Sequence, residues 1–189
     1  MVAESLKKKK YAPEHLKREI LPKVAAGEVN MAVGMTEPHA GTDVPNYKTN
    51  TVIKGDKAVV NGVKTLISKV DEADWFVVFT RINGTPGRDG IGAVLVNRNT
   101  PGFEVTARYH TMGGEFLGEI QFNNVEVPLE NVILREGAFK KLLSAFNTQR
   151  CLNPSVSLGM AEAAFEEAIS YVRERTIRGN PVSEFQGIQ

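Results

Sequence analysis

Two hydroxyl side chains stand close together in the segment from Met35 to Asp43, directly after the apolar run Met31–Val33. Thr36 and Thr42 supply the hydroxyl groups, and the small residues between them leave backbone N–H groups accessible. A loop of this kind can closely approach a planar ring or an anionic group. The same residue types also form purely structural turns, so the segment is a candidate binding loop with a structural turn as its alternative.

The common catalytic sequence patterns are absent from the chain. It contains no Gly-x-Ser-x-Gly elbow, no phosphate-binding P-loop, no His-Glu-x-x-His and no Cys-x-x-Cys motif. The three histidines, His15, His39 and His110, are too widely spaced to predict a metal site. We therefore expect no bound metal.

The composition is that of an ordinary globular chain. Its 189 residues carry a formal net charge of +1, and 42% of them are hydrophobic. A near-neutral chain lacks the basic surplus that contacts with nucleic-acid phosphates need. No run approaches the roughly 18 consecutive apolar residues of a membrane span, and the first residues lack the apolar core of a signal peptide. Cys151 stands alone, so we expect a cytoplasmic protein or, in a eukaryote, one of the mitochondrial matrix.

The elements that must position the candidate loop fall into three regions. Residues 1–28 contain one short helical pattern, and Pro22 opposes a long uninterrupted helix there. Residues 29–134 predict β structure, and residues 135–189 predict helices. The whole predicts an α+β fold, in which a central antiparallel β-barrel or sandwich is flanked by a short N-terminal helix and at least two C-terminal helices.

Short apolar and β-branched runs separated by turn residues fill the middle region. Asn61-Gly62 predicts a hairpin turn between the runs Lys57–Val60 and Lys64–Ser68. Gly55-Asp56 predicts another turn just before the first of them. The further predicted strands are Trp75–Thr80, Ala93–Val96, Phe103–Thr106, Glu119–Phe122 and Val125–Val127.

Two long helical patterns follow the β region. The first covers Ala138–Arg150, and the second begins at Asn153-Pro154, which predicts a cap and a first-turn proline. Gly179-Asn180-Pro181 predicts its end, and Ser183–Gln186 predicts the start of another helix. Two helices with large apolar faces need further helices or a partner subunit to cover them. We therefore expect a helical domain that continues beyond Gln189.

Short fragments with a fixed order run along the chain. In the β region they are Met35-Thr36-Glu37-Pro38, Ala40–Asp43, Asn61-Gly62-x-Lys64 with Ile67-Ser68, Ala73-Asp74, Pro101–Phe103, Met112-Gly113 and Phe122–Asn131. In the helical region they are Arg150, Leu158–Ala161, Glu174-Arg175 and Ser183–Ile188. In this order they resemble the acyl-CoA dehydrogenase family over nearly the whole chain.

The resemblance implies a three-domain architecture. In that family an N-terminal helical domain, a middle β domain and a C-terminal four-helix domain enclose FAD and an acyl-CoA. By this resemblance, residues 1–28 would be the end of the first domain and residues 29–134 the second. Residues 135–189 would be about half of the third, with an incomplete four-helix bundle.

A flavin site on the middle domain is also implied by the resemblance. Met35 and Thr36 match positions whose backbone and hydroxyl bond the edge of the isoalloxazine ring. Ser68 matches a hydroxyl near flavin N5, with Ile67 beside it. Leu66 matches a position usually held by Trp, so it supplies an apolar contact without an aromatic face.

Further site residues follow from the same resemblance. Thr42 matches a residue that contacts the CoA thioester arm, and Asn147 and Arg150 match a polar pair near the CoA moiety. In the helical region the implied cofactor contacts are Arg175, Thr176, Phe185 and Gln186, the first two reaching the flavin pyrophosphate of an adjacent subunit. Glu115 departs from the family, which often has Arg at that position.

The implied reaction transfers a hydride to flavin N5 and needs a carboxylate to remove the α proton of the thioester. Most family members take this Glu from a part of the C-terminal domain that would lie beyond Gln189. A minority place it one residue before the arginine matched by Arg150, where this chain has Gln149. An amide cannot accept the proton, so we expect a fragment with no catalytic residue and no activity by itself.

The partners implied by the resemblance are an acyl-CoA substrate and electron-transfer flavoprotein, and a homo-oligomer is implied for the parent enzyme. Two alternatives stay open. The chain could be a non-catalytic remnant that binds flavin or CoA or only packs against another chain. It could instead be a family member with other chemistry, such as an oxidase, a reductase or a desulfinase.

Overall fold

A computed structural model describes residues 12–144 and 146–189 of the chain. The chain forms two compact units, the first ending at residue 145 and the second comprising Phe146–Gln189. The first unit contains the β-sheet, and the second contains a long helix.

Seven strands of the first unit form one curled sheet. They are β1 (Met31–Gly34), β2 (Asn50–Lys54), β3 (Lys57–Ser68), β4 (Trp75–Ile82), β5 (Ile91–Asn97), β6 (Phe103–His110) and β7 (Phe116–Pro128). Their order is β1-β4-β2-β3-β7-β6, and β5 pairs with β4 beside this path. Most of these pairings are antiparallel, whereas β1 and β2 each run parallel to β4. The predicted α+β fold class is confirmed.

Two paired strands of the sheet, β4 and β5, are covered on both faces. In β4 the residues Phe76–Thr80 are all buried, and in β5 the residues Ile91–Val96 are all buried. Such strands need continuous apolar runs, because neither face meets water. Each fully buried Val, Ile or Phe side chain contributes about 1.5–3 kcal/mol of transfer free energy. These two strands therefore lie in the hydrophobic core, and the other strands and loops pack around them.

The course of β3 corrects the hairpin predicted at Asn61-Gly62. Residues Lys57–Ser68 form one continuous strand that pairs with β7. Gly62 has a φ of 143°, and a Cβ there would lie 2.5 Å from Thr49 Oγ1. The glycine is thus required for a close approach between neighbouring segments rather than for a turn. The turn predicted at Gly55-Asp56 is confirmed, and it joins β2 to β3.

A second correction concerns β7. The sequence predicts two separate strands at Glu119–Phe122 and Val125–Val127, whereas the structure joins them in one strand. Asn124 adopts a φ of 50° inside it, and its side chain and backbone bond Asn61 of β3. The polar residues between the predicted strands therefore mark an irregularity of the pairing and not a connection.

The N-terminal helical pattern forms α1 (Glu14–Ala25), which buries Leu16 and Ile20. The helix continues through Pro22 and ends three residues later. The C-terminal region forms a short α2 (Phe139–Ser144) and a long α3 (Asn147–Glu174).

Helix α3 corrects the predicted helix boundaries. It runs through Asn153-Pro154, where the sequence predicts a new start, and ends at Glu174. Gly179-Asn180-Pro181 lies beyond the helix end, in a small hairpin of β8 (Thr176–Ile177) and β9 (Asn180–Pro181). Ser183, predicted to start another helix, lies in a single 3-10 turn, Val182–Glu184.

None of the helices that the structure describes combines the length and apolar composition needed to cross a membrane. Within the same ranges, no group of three or more His, Cys, Asp or Glu side chains is arranged to hold a metal ion. The domain boundaries at residues 28 and 134 stay predictions.

Candidate functional site

The segment after β1 and the C-terminal half of β3 lie side by side. The backbone N–H of Thr65 donates to the carbonyl oxygen of Thr36 at 2.9 Å. A Cβ added to Gly34, two residues before Thr36, would lie 3.3 Å from Lys64 Cγ. The two motifs in which the sequence predicts flavin contacts are therefore neighbours, although about thirty residues separate them in the chain.

A bulge near the end of β3 turns Leu66 outward. The pairing of β3 with β7 shifts its register between Lys64 and Ile67, and Leu66 has a φ of 56°. A left-handed backbone conformation costs an ordinary residue roughly 1–2 kcal/mol. Leu66 is 53% exposed and Ser68 is also exposed, on either side of the buried Ile67. The strained end of β3 thus exposes the apolar side chain of Leu66 and the hydroxyl of Ser68, two residues apart.

Thr36 keeps hydrogen-bonding groups available beside this bulge. Its residue is partly exposed, and its carbonyl oxygen is bonded to Thr65. Among the residues that the structure describes, none accepts a hydrogen bond from the backbone N–H or from the hydroxyl of Thr36. Both groups are free to donate to a ligand.

A buried ion pair joins the candidate loop to β3. Lys64 Nζ lies 2.8 Å from Glu37 Oε1 and donates to the carbonyl oxygen of Met35 at 2.9 Å. The exposed fractions of the two charged side chains are 0% and 2%. The Glu37 carboxylate also accepts the backbone N–H of Lys48 at 2.7 Å and that of Thr49 at 3.0 Å. The pair therefore fixes three segments that are distant in sequence.

Burial shifts the pKa values of both partners toward their neutral forms, and the attraction between the two charges opposes these shifts. Burial by itself raises the pKa of Glu37, but the Lys64 ammonium and the hydrogen bonds to the carboxylate outweigh it and hold this pKa below its usual value. Burial lowers the pKa of Lys64 to about 8, against the attraction of Glu37. Both groups are charged at pH 7.

Tyr47 covers another side of the Lys64 ammonium. Nζ lies 3.8 Å from the centre of the Tyr47 ring, a cation–π contact. The tyrosine is 1% exposed, and its hydroxyl has no hydrogen-bond partner in the described part of the chain. Burial, and secondly the charge of Glu37, raises the pKa of this phenol.

Sequence reasoning assigned no role to Glu37, Lys64 or Tyr47. The first two lie inside the quoted motifs, which is the one signal that could have singled them out. Tyr47 lies outside those motifs, and nothing in its sequence surroundings distinguishes it.

Arg81 holds the loop that carries Thr42. The side chain of Thr42 is exposed. Arg81 Nε, at the end of β4, donates to the carbonyl oxygen of Tyr47 at 3.0 Å, and its two terminal nitrogens donate to the carbonyl oxygens of Pro45 and Thr85. This fork of hydrogen bonds fixes the chain directly after the predicted substrate residue.

An open cavity of about 500 Å³ adjoins Ser68. The turn after β3 and the loop before β7 line it, with residues Ser68–Glu72 and Gly114–Phe116. Glu115, the departure from the family pattern, contributes a carboxylate to this lining. Asp71, on the opposite lining segment, bonds Arg108, and this hydrogen bond lowers the pKa of Asp71.

The remaining predicted site residues lie in the second unit. Asn147, Gln149 and Arg150 occupy the first turn of α3, where Arg150 is exposed and Gln149 is partly buried. Arg175 follows the helix end, and Thr176 opens the hairpin.

The C-terminal pair of predicted cofactor residues, Phe185 and Gln186, follows the 3-10 turn Val182–Glu184. Both are exposed. The backbone N–H of Val182 donates to the carbonyl oxygen of Arg175 at 2.8 Å, which ties this turn to the helix end. Four of the predicted cofactor residues are thus held in one local arrangement of the second unit.

Two sequence models of one family match the chain. Residues 32–125 match the middle domain of acyl-CoA dehydrogenases, and residues 139–189 match their C-terminal domain. The two matches are adjacent and in the order that the sequence fragments predict.

Similar proteins include an acyl-CoA dehydrogenase of Bacillus subtilis (strain 168). It is 35% identical over 181 residues, which are 94% of this chain and 48% of that protein. The chain therefore spans about half the length of the curated relatives that it matches.

Solved structures of acyl-CoA dehydrogenases are also similar to this chain. Butyryl-CoA dehydrogenase from Megasphaera elsdenii has a TM-score of 0.90 and 31% sequence identity, with 98% of this chain and 49% of that chain covered. A glutaryl-CoA dehydrogenase from Mycobacterium smegmatis in complex with FADH2 has a TM-score of 0.88 and 29% identity, with 100% and 47% covered.

Proposed function

Because the chain belongs to the acyl-CoA dehydrogenase family, we propose that it binds FAD and an acyl-CoA thioester for dehydrogenation between the α and β carbons. The observation that carries this proposal is the junction of the Thr36 loop with the bulge of β3. When bound, the flavin supplies the acceptor for the hydride. The chain supplies the surface that orients it.

The residues at the junction fit an isoalloxazine ring. The exposed Leu66 offers apolar contact to a planar face, and the Ser68 hydroxyl lies two residues further along β3. The unbonded N–H and hydroxyl of Thr36 can donate to the polar edge of the ring. Met35 contributes backbone whose carbonyl is already held by Lys64. With Ile67 packed inward, these residues form the proposed flavin site.

The proposed substrate contacts are Thr42, Asn147 and Arg150. Arg150 and Arg175 are both exposed, and an arginine can bond a phosphate oxygen through two N–H groups at once. We assign Arg150 to the CoA moiety and Arg175, with Thr176, Phe185 and Gln186, to the cofactor. Electron-transfer flavoprotein as the electron acceptor and a homo-oligomeric assembly complete the proposal.

In this proposal residue 149 does not supply the base. The position one residue before Arg150 carries Gln149, whose amide cannot remove the α proton. An amide at this position is compatible with the first candidate function and with a second, a flavin- and CoA-binding chain without chemistry of its own.

Flavin binding is the direct test of the site. We expect the purified chain to bind FAD, measured by flavin absorbance after gel filtration and by fluorescence titration. Ser68→Ala and Thr36→Ala should each weaken FAD roughly two- to tenfold, which is the effect of one lost hydrogen bond. Thr106→Ala, which removes an exposed hydroxyl on β6, is the matched control. A chain that binds no FAD contradicts the proposal.

Turnover tests the second candidate function, a chain that binds its ligands without chemistry of its own. The FAD-loaded chain should reduce no artificial electron acceptor with butyryl-CoA as substrate. Measurable turnover would show that another residue removes the α proton and would contradict the second candidate function.

A further inference from the structure

Lys64 is the most deeply buried charged group near the proposed flavin site. Among the described residues, its ammonium contacts the carbonyl oxygen of Met35 at 2.9 Å, Glu37 Oε1 at 2.8 Å and the ring of Tyr47 at 3.8 Å. Its side chain is 0% exposed. A charged donor in such surroundings makes a stronger hydrogen bond than a neutral one, because water does not screen it.

The Met35 carbonyl belongs to the same peptide group as the backbone N–H of Thr36. Withdrawing electron density at the oxygen of a peptide group makes its N–H a better donor, which is the basis of cooperative hydrogen bonding. That N–H has no acceptor among the described residues. Lys64 therefore acts on a donor that no described residue engages, and it is not itself one of the proposed flavin contacts.

A contribution to stability does not by itself explain the buried ion pair. A buried pair gains little over well-packed apolar side chains, since desolvation of both charges offsets their attraction. Here two backbone N–H groups, of Lys48 and Thr49, hold the carboxylate in addition to the lysine. The arrangement leaves the ammonium free to hold the Met35 carbonyl as well.

We propose that Lys64 is a positioning residue that orients and polarises the Met35–Thr36 peptide, so that the Thr36 N–H binds a reduced, negatively charged flavin more tightly than an oxidised one. This inference rests on the proposed function, because it requires a flavin at the junction. It adds that the buried ammonium sets the redox preference of the site through one peptide group. A purely structural lysine would affect both flavin forms equally.

The test compares the full chain with the double variant Glu37→Gln/Lys64→Met. The double variant removes the ammonium without leaving an unpaired buried carboxylate. The N–H groups of Lys48 and Thr49 bond different carboxylate oxygens, so the amide oxygen introduced by Glu37→Gln can still accept one of them. Lys57→Met is the matched control, since Lys57 lies on the same strand in an exposed pair with Glu126. Dissociation constants for FAD and for FADH2, together with the midpoint potential of the bound flavin, are the readouts.

We expect the double variant to weaken FADH2 about tenfold more than FAD, which lowers the midpoint potential by about 30 mV for a two-electron couple. Lys57→Met should leave the potential unchanged. If the double variant lacks the circular dichroism of the wild-type chain, Lys64→Gln, which keeps a donor for Glu37 but no charge, carries the same comparison.

The outcomes separate the two proposals. A wild-type chain that binds neither form of FAD contradicts the proposed function and this inference together. A wild-type chain that binds FAD, with a variant that weakens both forms equally or neither, overturns the inference alone.

Discussion

Strand β3 carries one lysine–glutamate pair near each end, and the two pairs differ in their surroundings. Near its start, Lys57 Nζ lies 3.1 Å from Glu126 Oε2, and both side chains are 59% exposed. Near its end, Lys64 Nζ lies 2.8 Å from Glu37 Oε1, and both side chains are fully enclosed. Because the distances are similar, the different behaviour of the pairs comes from hydration and from the effective dielectric constant.

The two surroundings move the lysine pKa values in opposite directions. The hydrogen bond to Glu126 raises the pKa of Lys57, since the exposed ammonium keeps its hydration. Burial lowers the pKa of Lys64 to about 8. The buried pair also contacts the Met35 carbonyl and fixes the candidate loop, whereas the exposed pair joins two strands that already pair through their backbones. The comparison shows that tertiary surroundings turn the same residue types into a surface contact or a scaffold.

The largest effect should follow from breaking the buried pair. Lys64→Met leaves the Glu37 carboxylate buried without its partner, so the free energy of unfolding should fall by about 3–5 kcal/mol. Urea denaturation of the full chain measures it. Lys57→Met should shift the denaturation midpoint too little to detect, because exposed pairs contribute little. Equal midpoints for the two variants would contradict the contrast between the two ends of β3.

A smaller effect should follow from crowding the backbone behind the proposed site. Gly118 of β7 pairs with Ile67, and a Cβ there would lie 2.2 Å from Val70 Cγ1. Gly118→Ala should therefore lower the free energy of unfolding by about 1–3 kcal/mol, since the buried Val70 has to move. Gly41→Ala, where nothing lies within 4 Å of the added Cβ, is the control. If Gly118→Ala left the free energy of unfolding unchanged, the turn after β3 would be able to move at little energetic cost.

The pH dependence of stability offers a third comparison. The pKa of Lys64 is about 8 in the folded chain, below the ordinary value for lysine. Between these values the unfolded chain binds more protons, so the contribution of Lys64 to the unfolding free energy rises with pH, by about 1 kcal/mol from pH 8 to pH 9. The raised pKa of Tyr47 acts in the opposite sense only at higher pH. Glu37 remains ionised throughout this interval.

The readout is the difference in melting temperature between the wild-type chain and the Glu37→Gln/Lys64→Met variant across this pH range. The melting temperature of the wild-type chain should increase relative to that of the variant as the pH rises. Parallel curves would mean that Lys64 keeps an ordinary pKa, as an exposed lysine does.

The smallest effect concerns the strain at Leu66. Leu66→Gly removes the cost of a positive φ but adds backbone entropy to the unfolded chain, so the net gain in unfolding free energy should be roughly 0.5–1 kcal/mol. Val63→Gly, three residues earlier at a position without positive φ, should instead destabilise the chain. Thermal melts distinguish the two. A destabilised Leu66→Gly would mean that Leu66 packs better than its 53% exposure indicates.

The elements with strong local patterns could be predicted from the sequence. The apolar runs of β4 and β5 and the spacing in α1 identify these elements, because each pattern depends on neighbours in the chain. Several breaks between elements could not be predicted, although the turn at Gly55-Asp56 could. Asn61-Gly62 is a good hairpin turn in isolation, but Thr49 lies against it in the fold. Pro154 resembles a helix start, yet α3 continues through it.

The candidate site divides in the same way. Thr36, Leu66 and Ser68 could be singled out from motifs, and their roles toward a flavin stay predictions. The Glu37–Lys64 pair joins residues 27 positions apart, and no local pattern distinguishes a buried lysine from an exposed one within a strand.

The sequence by itself determined the family, the predominance of β structure in the middle of the chain and the motifs of the candidate loop, since these depend on residue type and order. The tertiary structure decided which lysine is buried, which peptide it contacts and where β3 bulges. Those features depend on which segments pack against one another, and the electrostatic effect of a charge follows from that packing rather than from its place in the chain.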